Sequence, residues 1–269
     1  MLIRSWNLFH GNTVPRGRRA HLGEMARLAA GDGPDLVLLQ EVPLWALPEL
    51  ERWSGMQAFG DPAAPARLGP FPSTPQVGRA LTGLHHGILR SALTGQANAV
   101  LAARGLRVVE RRLLVLNDRR FRRAQVCWLD LGTVARLVWS KERRVCQALR
   151  LRLDDGRTLL VANLHATSYP PDNRVPDAEV FRAAVFADGL ADPGEPVVFG
   201  GDLNVRAGAS RTLGDLTGPE WGFAHLGHGV DHLLVRGASL VHGAVWPEAR
   251  RRHGEHLLSD HAPIEVVIE

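Results

Sequence analysis

Cysteine is almost missing from this chain. Cys127 and Cys146 are the only two in 269 residues. Their spacing matches no metal or redox motif, which excludes a disulfide scaffold and a cysteine-ligated zinc fold. Both are expected to be reduced, buried thiols. A chain of this length buries roughly three quarters of the surface its unfolded form exposes, so it needs no covalent staples. No apolar run is long enough to span a bilayer. The opening Met1-Leu2-Ile3-Arg4-Ser5-Trp6-Asn7 reads as a strand, not as a basic segment leading into an apolar one. The sequence therefore predicts a soluble, cytoplasmic protein. Lysine is nearly missing too: Lys141 is the single lysine among 32 basic residues. The net charge is only +4, yet the pI is about 9.9. Arginine binds phosphate oxygens through a planar fork and does not titrate away, which suits an anionic substrate. Charge balance by itself does not establish nucleic-acid binding.

What is present is a run of short apolar segments. Residues 2–8 and 35–42 read as buried strands, with an amphipathic helix over 18–30 between them. Its inward face is Leu22, Met25, Ala26 and Ala29. A second helix is predicted over 44–53, and a Pro/Gly/Ala-rich loop over 60–78. The pattern then turns β-rich, with strands expected at 98–103, 107–116, 124–130, 133–139, 145–153 and 158–165. Asp154-Asp155-Gly156-Arg157 is the hairpin turn between the last two. A helix over 177–191, a strand over 196–200 and final strands over 230–236 and 263–268 complete the chain. Tyr169 is the only tyrosine beside seven tryptophans. Trp6, Trp128 and Trp139 fall in predicted strands and are expected in the core. No internal repeat or linker divides the chain, so residues 1–269 read as one domain. Two sheets with helices outside them are expected.

Several predicted strands are apolar until one end and then carry a residue of catalytic type. The first ends at Asn7 and the second at Glu41. The 158–165 strand ends in Asn163-Leu164-His165, and the next core strand runs into Gly200-Gly201-Asp202-Leu203-Asn204. Gly229-Val230-Asp231-His232 opens a strand with an acid. Leu258-Ser259-Asp260-His261 precedes the last one. Any one of these is an ordinary turn, since Asp and Asn readily cap backbone amides. Six together are best explained by one shared site at a sheet rim, because buried polar groups are costly unless they are satisfied.

These residue types suit water attack on a phosphate ester. A hard cation such as Mg²⁺ takes one or two carboxylates and otherwise keeps its waters, and Glu41 and Asp260 can supply them. A base or orienting group must position the water. Histidine titrates in the useful range, and a carboxylate partner fixes its orientation. Asn7 and Asn204 can bind phosphate oxygens or ligands without adding negative charge.

The ordered set Ser5-Trp6-Asn7, Leu39-Gln40-Glu41-Val42, Asn163-Leu164-His165, Gly201-Asp202-Leu203-Asn204, Val230-Asp231-His232 and Ser259-Asp260-His261-Ala262-Pro263-Ile264 resembles the endonuclease/exonuclease/phosphatase superfamily. Its members include deoxyribonuclease I, inositol polyphosphate 5-phosphatases and bacterial sphingomyelinases. The resemblance runs from residue 3 to residue 268. It implies an α/β fold, a four-layer α/β/β/α sandwich of two mainly antiparallel sheets flanked by helices. It also implies a Mg²⁺-dependent phosphoesterase, with Mn²⁺ as the other metal. Carried over position by position, Glu41 is similar to the main metal ligand, with Asn7 and Asp260 beside the metal. Asp202 and Asn204 are similar to the pair that positions water and phosphate. His261 is similar to the phosphate-contacting or basic histidine, with Asp231 orienting it, and His165 to the general acid or phosphate contact. Either Asp202 or His261 takes the water's proton.

Exonuclease III-like repair enzymes usually carry Tyr where His165 stands. The histidine places this chain nearer the deoxyribonuclease, phosphatase and phosphodiesterase branches. Some members also have an arginine upstream of the His165 strand, and Arg143 and Arg144 are both candidates. Arg206 and Arg211 follow the Gly-Asp-Leu-Asn turn and could flank a phosphate. The segment with His85 and His86 falls where deoxyribonuclease I has its first histidine, and it matches poorly.

Arg119-Arg120-Phe121-Arg122-Arg123 could grip a nucleic-acid backbone, and it reads equally well as a solvated hairpin. Arg250-Arg251-Arg252-His253 lies close before the Ser-Asp-His motif. His232 should face away from Asp231 on its strand. The leading substrate expectation is DNA or RNA, cleaved by a monomer. A small or lipid-linked phosphate is the alternative, although no apolar membrane-binding hairpin is evident in the sequence. A catalytically dead binding module is the remote third reading.

Overall fold

Two segments of the chain form parallel strand pairs, and these pairs organise everything else. The computed structural model describes residues 1–82 and 93–269; His85 and His86 lie outside the described residues. The chain divides into two units, Met1–Leu106 with Val241–Ile268, and Arg107–Leu240 with Glu269. Each unit carries one six-stranded sheet. Among the described residues, no helix is long and apolar enough to cross a membrane.

In the first unit, Leu2–Asn7 and Leu36–Val42 pair in parallel, with Asn7 opposite Gln40. A parallel pair needs a crossover, and the helix Leu22–Ala30 supplies it. Leu22, Met25, Ala26 and Ala29 are its buried face, packed with Trp6, Val37 and Leu39. Full burial of each large apolar side chain is worth about 1.5–3 kcal/mol. The helix starts at Leu22, with His21 as its N-cap, four residues later than the pattern predicts. Ile264–Ile268 runs antiparallel to the first strand, with Ser5 opposite Ile264. The last strand therefore begins where the first one ends.

In the second unit, Thr158–His165 and Val197–Asp202 are the parallel pair, with His165 opposite Asp202. The helix Arg174–Leu190 is the crossover, and Val180, Ala183, Ala184 and Ala187 face the core. Asp231–Arg236 is antiparallel to Val197–Asp202, with Asp202 opposite Asp231. Gly200 is needed for that pairing, because a Cβ there would stand 2.3 Å from the His232 carbonyl oxygen.

Several local expectations are corrected. Residues 124–130 and 133–139 are not strands: 124–128 and 133–139 lie in the helices Arg119–Trp128 and Thr133–Lys141, and 129–130 are in the turn after the first. The Asp118 side chain accepts from Arg120 N and Phe121 N, capping the first of them, and such a cap outweighs a short apolar pattern that fits either period. The basic cluster 119–123 is therefore helical and not a hairpin. Cys127 is exposed, and Trp128 is 87% exposed rather than in the core. Trp139 is buried as expected, though from a helix. Part of the predicted 60–78 loop is strand, because Gln57–Ala64 pairs with Gln96–Ala102 and shifts register between Pro62 and Ala64. It is an edge strand, where a proline costs no ladder bond on its open side. The strands Ala224–His228 and Leu240–Val245 are additions to the expected set.

Candidate functional site

Parallel neighbours end at the same edge of a sheet, and this collects the strand-end residues within each unit. In the first unit Asn7 and Glu41 stand at adjacent strand ends. Asn7 is buried and its Oδ1 accepts from Phe9 N at 2.9 Å. Its carbonyl accepts from Ser259 Oγ at 2.7 Å, which ties it to the turn carrying Asp260 and His261. The ladder beside Glu41 is irregular between Leu39 and Val42, and Glu41 has φ of 54°. A bulge of this kind re-aims a side chain.

His10 Nε2 lies 3.0 Å from Glu41 Oε2, on a side chain that is nearly buried. Sequence reasoning misses His10. The one signal for it is its place three residues after Asn7, in a Phe-His-Gly turn. Phe9, His10, Glu41, Asn204 and Ser259 all have φ between 50° and 61°. Left-handed backbone at non-glycine residues costs about 1–2 kcal/mol each, and such strain concentrates at functional sites.

The Ser259-Asp260-His261 turn is held from behind. Arg251 is buried, and its Nη1 donates to the carbonyls of Leu258, Ser259 and His261 at 3.2, 2.9 and 3.1 Å. Burial holds its guanidinium below the usual pKa. Trp6 Nε1 also donates to the His261 carbonyl at 3.0 Å. Asp260 is exposed, with Oδ1 at 3.9 Å from His261 Nε2.

In the second unit, His165 Nε2 is 3.5 Å from Asp202 Oδ2, and both side chains are almost fully buried. Asp202 Oδ1 accepts from Asn204 N at 3.1 Å, and Asn204 Nδ2 donates to the Ala166 carbonyl at 3.0 Å. Asp231 is buried beside Asp202 across the ladder. Of the two arginine candidates, Arg144 is the one that reaches His165: Nη1 lies 3.0 Å from Nδ1 and 3.1 Å from Nε2. Arg143 is exposed, as is Arg206. The Leu164–Cys146 register places residue 144 one step beyond the strand, beside the histidine. Arg144 Nη2 donates to Glu142 Oε2 at 2.8 Å.

Two further residues support this edge. Glu179 is fully buried and accepts from Thr167 N at 2.6 Å, Thr167 Oγ1 at 2.8 Å and Trp139 Nε1 at 2.6 Å. Burial pushes its carboxyl up, and these three bonds oppose the shift. A glutamate among the inward positions of the 174–190 helix is the sequence signal for it. His232 faces away from Asp231: Nε2 lies 2.8 Å from the Val205 carbonyl oxygen, and Nδ1 lies 2.9 Å from His225 Nε2.

Burial lowers the His225 pKa to about 4 and also lowers that of His232. The unfolded chain, with histidine near 6.5, then binds more protons between pH 6.5 and 4, so stability is lost as pH falls through that window. Urea melts should show this loss, and His225→Gln should flatten its slope. An unchanged slope in the variant would remove His225 as its source.

The model of the Endonuclease/Exonuclease/phosphatase family matches residues 5–261. No curated protein matches the chain. Among solved structures, an endonuclease/exonuclease/phosphatase from Bacteroides vulgatus aligns with TM-score 0.70 at 13% identity, over 100% of this chain and 98% of that one. Truncated TDP2 from Caenorhabditis elegans aligns with TM-score 0.65 at 18% identity, over 99% and 96%. A mannosyl-6-phosphatase from Bacteroides thetaiotaomicron aligns with TM-score 0.67 at 14% identity, over 100% and 99%. At such identities these likenesses speak for the fold alone. With the family model spanning nearly the whole sequence, the chain belongs to the endonuclease/exonuclease/phosphatase family and is a phosphoester hydrolase.

Proposed function

We propose that this protein is a divalent-metal-dependent phosphodiesterase that cleaves a nucleic-acid backbone. The observation that carries the substrate reading is the connection from His165 to a basic helix. Arg144 contacts His165, and its backbone N–H donates to Asn117 Oδ1 at 2.9 Å. The Asn117 carbonyl accepts from Arg122 Nε at 2.9 Å, and Arg119, Arg120 and Arg123 on the same helix are exposed. A polyanion whose reacting phosphate sits at His165 could lay its flanking phosphates along this helix, where arginine contacts dominate affinity.

Glu41, Asp260 and the Asn7 amide are hard oxygen donors, and this set fits Mg²⁺ or Mn²⁺. Bound there, the cation would neutralise phosphoryl oxygens and favour attack by water. His10 would orient the Glu41 carboxylate. Asp202 and Asn204 would position the water and the phosphate. Arg144 would polarise His165 or bind a phosphate oxygen.

A second reading, a lipid-linked phosphate, is favoured by the exposed apolar residues Trp128, Val134 and Leu137 on the two helices 119–128 and 133–141. The test is cleavage of plasmid and single-stranded DNA and of RNA with Mg²⁺ or Mn²⁺, with an EDTA control. Phosphomonoesters and phospholipids are assayed in parallel. Metal-dependent nucleic-acid cleavage that weakens in Arg119→Ser/Arg120→Ser/Arg123→Ser, with a shallower salt dependence, is the expected result. The triple variant should still hydrolyse a small chromogenic phosphodiester. Turnover of phospholipid or sugar phosphate without nucleic-acid cleavage would overturn the nuclease reading and leave the hydrolase standing.

A further inference from the structure

A second cluster of ligand-type side chains lies in the first unit, built from residues other than Asn7, Glu41 and Asp260. His21, Glu24 and His253 each offer one ligand atom, and these atoms all lie within 4.8 Å of one another. His256 stands beside them: its ring centroid is 5.8 Å from that of His21, and that of His253 is 5.6 Å from His21. Distant segments bring the four together. His21 is the N-cap of the helix Leu22–Ala30. Its backbone N–H donates to Gly11 O at 2.8 Å, and its carbonyl accepts from Met25 N at 2.9 Å. Glu24 lies one turn on, on the same side of the helix. His253 and His256 face each other directly across a small hairpin. That hairpin is fixed to Thr13–Val14 through Leu257 opposite Val14 and Leu258 opposite Thr13.

Three imidazoles crowded around one carboxylate make a poor resting arrangement. Protonated rings would repel one another. His256 Nδ1 is buried with no hydrogen-bond partner. The neutral imidazole is the form that binds metal.

We infer that His21, Glu24 and His253, with His256 as the fourth candidate ligand, form a transition-metal site of the Zn²⁺ class, sharing no ligand with the Asn7, Glu41 and Asp260 set. Imidazole nitrogens with one carboxylate suit Zn²⁺ and similar borderline ions, whereas Mg²⁺ and Ca²⁺ prefer oxygen alone. Ligand bonds of about 2.0–2.2 Å in a tetrahedron place ligand atoms roughly 3.4 Å apart. The cluster must therefore contract by up to about 1.4 Å from its present limit of 4.8 Å, and the exposed His253 side chain can rotate to do so. The site would clamp the Arg252–Leu258 hairpin to the start of the helix. That hairpin leads straight into Ser259, Asp260 and His261, and Arg251 braces the same turn. The metal would thus be structural, holding the segment on which His261 sits.

The test is Co²⁺ titration of the full chain, free of any histidine tag and stripped with EDTA, followed by visible absorption. Wild type should develop d–d bands of a four-coordinate, nitrogen-ligated ion, saturating near one equivalent and displaced by Zn²⁺. His253→Ala, at an exposed position where folding is not at risk, should lose most of this absorption, and Glu24→Gln should weaken it. Glu41→Gln should keep it. Zn²⁺ should raise the Tm of wild type by a few degrees and leave that of His253→Ala unmoved, because binding to the native state alone stabilises it. Bands that never form in wild type, that persist in His253→Ala, or that vanish in Glu41→Gln instead, would each overturn the assignment.

Discussion

Glu41→Gln should lower metal-dependent turnover by at least about 10²-fold, the scale of losing one main electrostatic element of a hydrolytic site. The side chain keeps its shape and one acceptor oxygen but loses its charge. Glu41 stands at an irregular point of the ladder, with left-handed backbone, and His10 Nε2 is 3.0 Å from its carboxylate. The carboxamide keeps an oxygen that can still accept from His10 Nε2, so the Tm should stay near wild type. Raising Mg²⁺ or Mn²⁺ should restore part of the activity if the loss is one of metal affinity. His10→Ala should do less, about 10- to 100-fold, as expected of a residue that orients a ligand. The readouts are kcat and KM at several metal concentrations beside a thermal melt. A folded Glu41→Gln protein with wild-type activity would remove Glu41 from the metal set.

Glu179→Ala should cost about 3–5 kcal/mol of stability. It would leave Thr167 N and Trp139 Nε1 buried without their acceptor, at about 1–3 kcal/mol for each unsatisfied group, and open a cavity in the same place. The consequence reaches the candidate site, because Thr167 is two residues beyond His165 and Trp139 anchors the helix that follows the basic one. Phosphoester hydrolysis should therefore fall even where the variant is still folded. Glu179→Gln should be milder, since one carbonyl oxygen remains.

The pH dependence separates these causes. Burial raises the folded-state pKa of Glu179. Its contribution is therefore fully present below the unfolded carboxyl value and declines as pH rises above it. The stability gap between wild type and Glu179→Gln should narrow from acid towards neutral pH in urea melts. A gap that widens would mean that the carboxylate is held ionised by its three donors. The sign is opposite to that expected of His225, so the two groups can be told apart in one pH series.

Much of the framework is legible in the amino-acid pattern. Leu36–Val42, Thr158–His165 and Val197–Asp202 are buried on both faces, so they read as plain apolar runs, and their polar ends stand out. The 174–190 and 22–30 helices carry a clean inward stripe. The failures have two causes. In residues 119–141 the apolar positions come in short continuous runs, such as 126–129 and 137–139, which fit a two-residue and a 3.6-residue period equally, and the Asp118 cap decides the matter. Cys127 and Trp128 are misplaced along with it. Gln57–Ala64 is hidden because Pro62 speaks against a strand everywhere except at an edge, and edges are assigned only when the sheet is assembled.

The order of motifs along the chain is thus enough to determine the family and the strand ends that carry Asn7, Glu41, His165, Asp202, Asp231 and His261. Strand ends are local, and a break in an apolar run marks them. Tertiary structure alone decided which of Arg143 and Arg144 reaches His165, that His10 meets Glu41, that Glu179 satisfies Thr167 and Trp139, and that His21 lies beside His253. Each of those contacts joins segments far apart in sequence. Sheet register and helix packing set them, and no local periodicity encodes either.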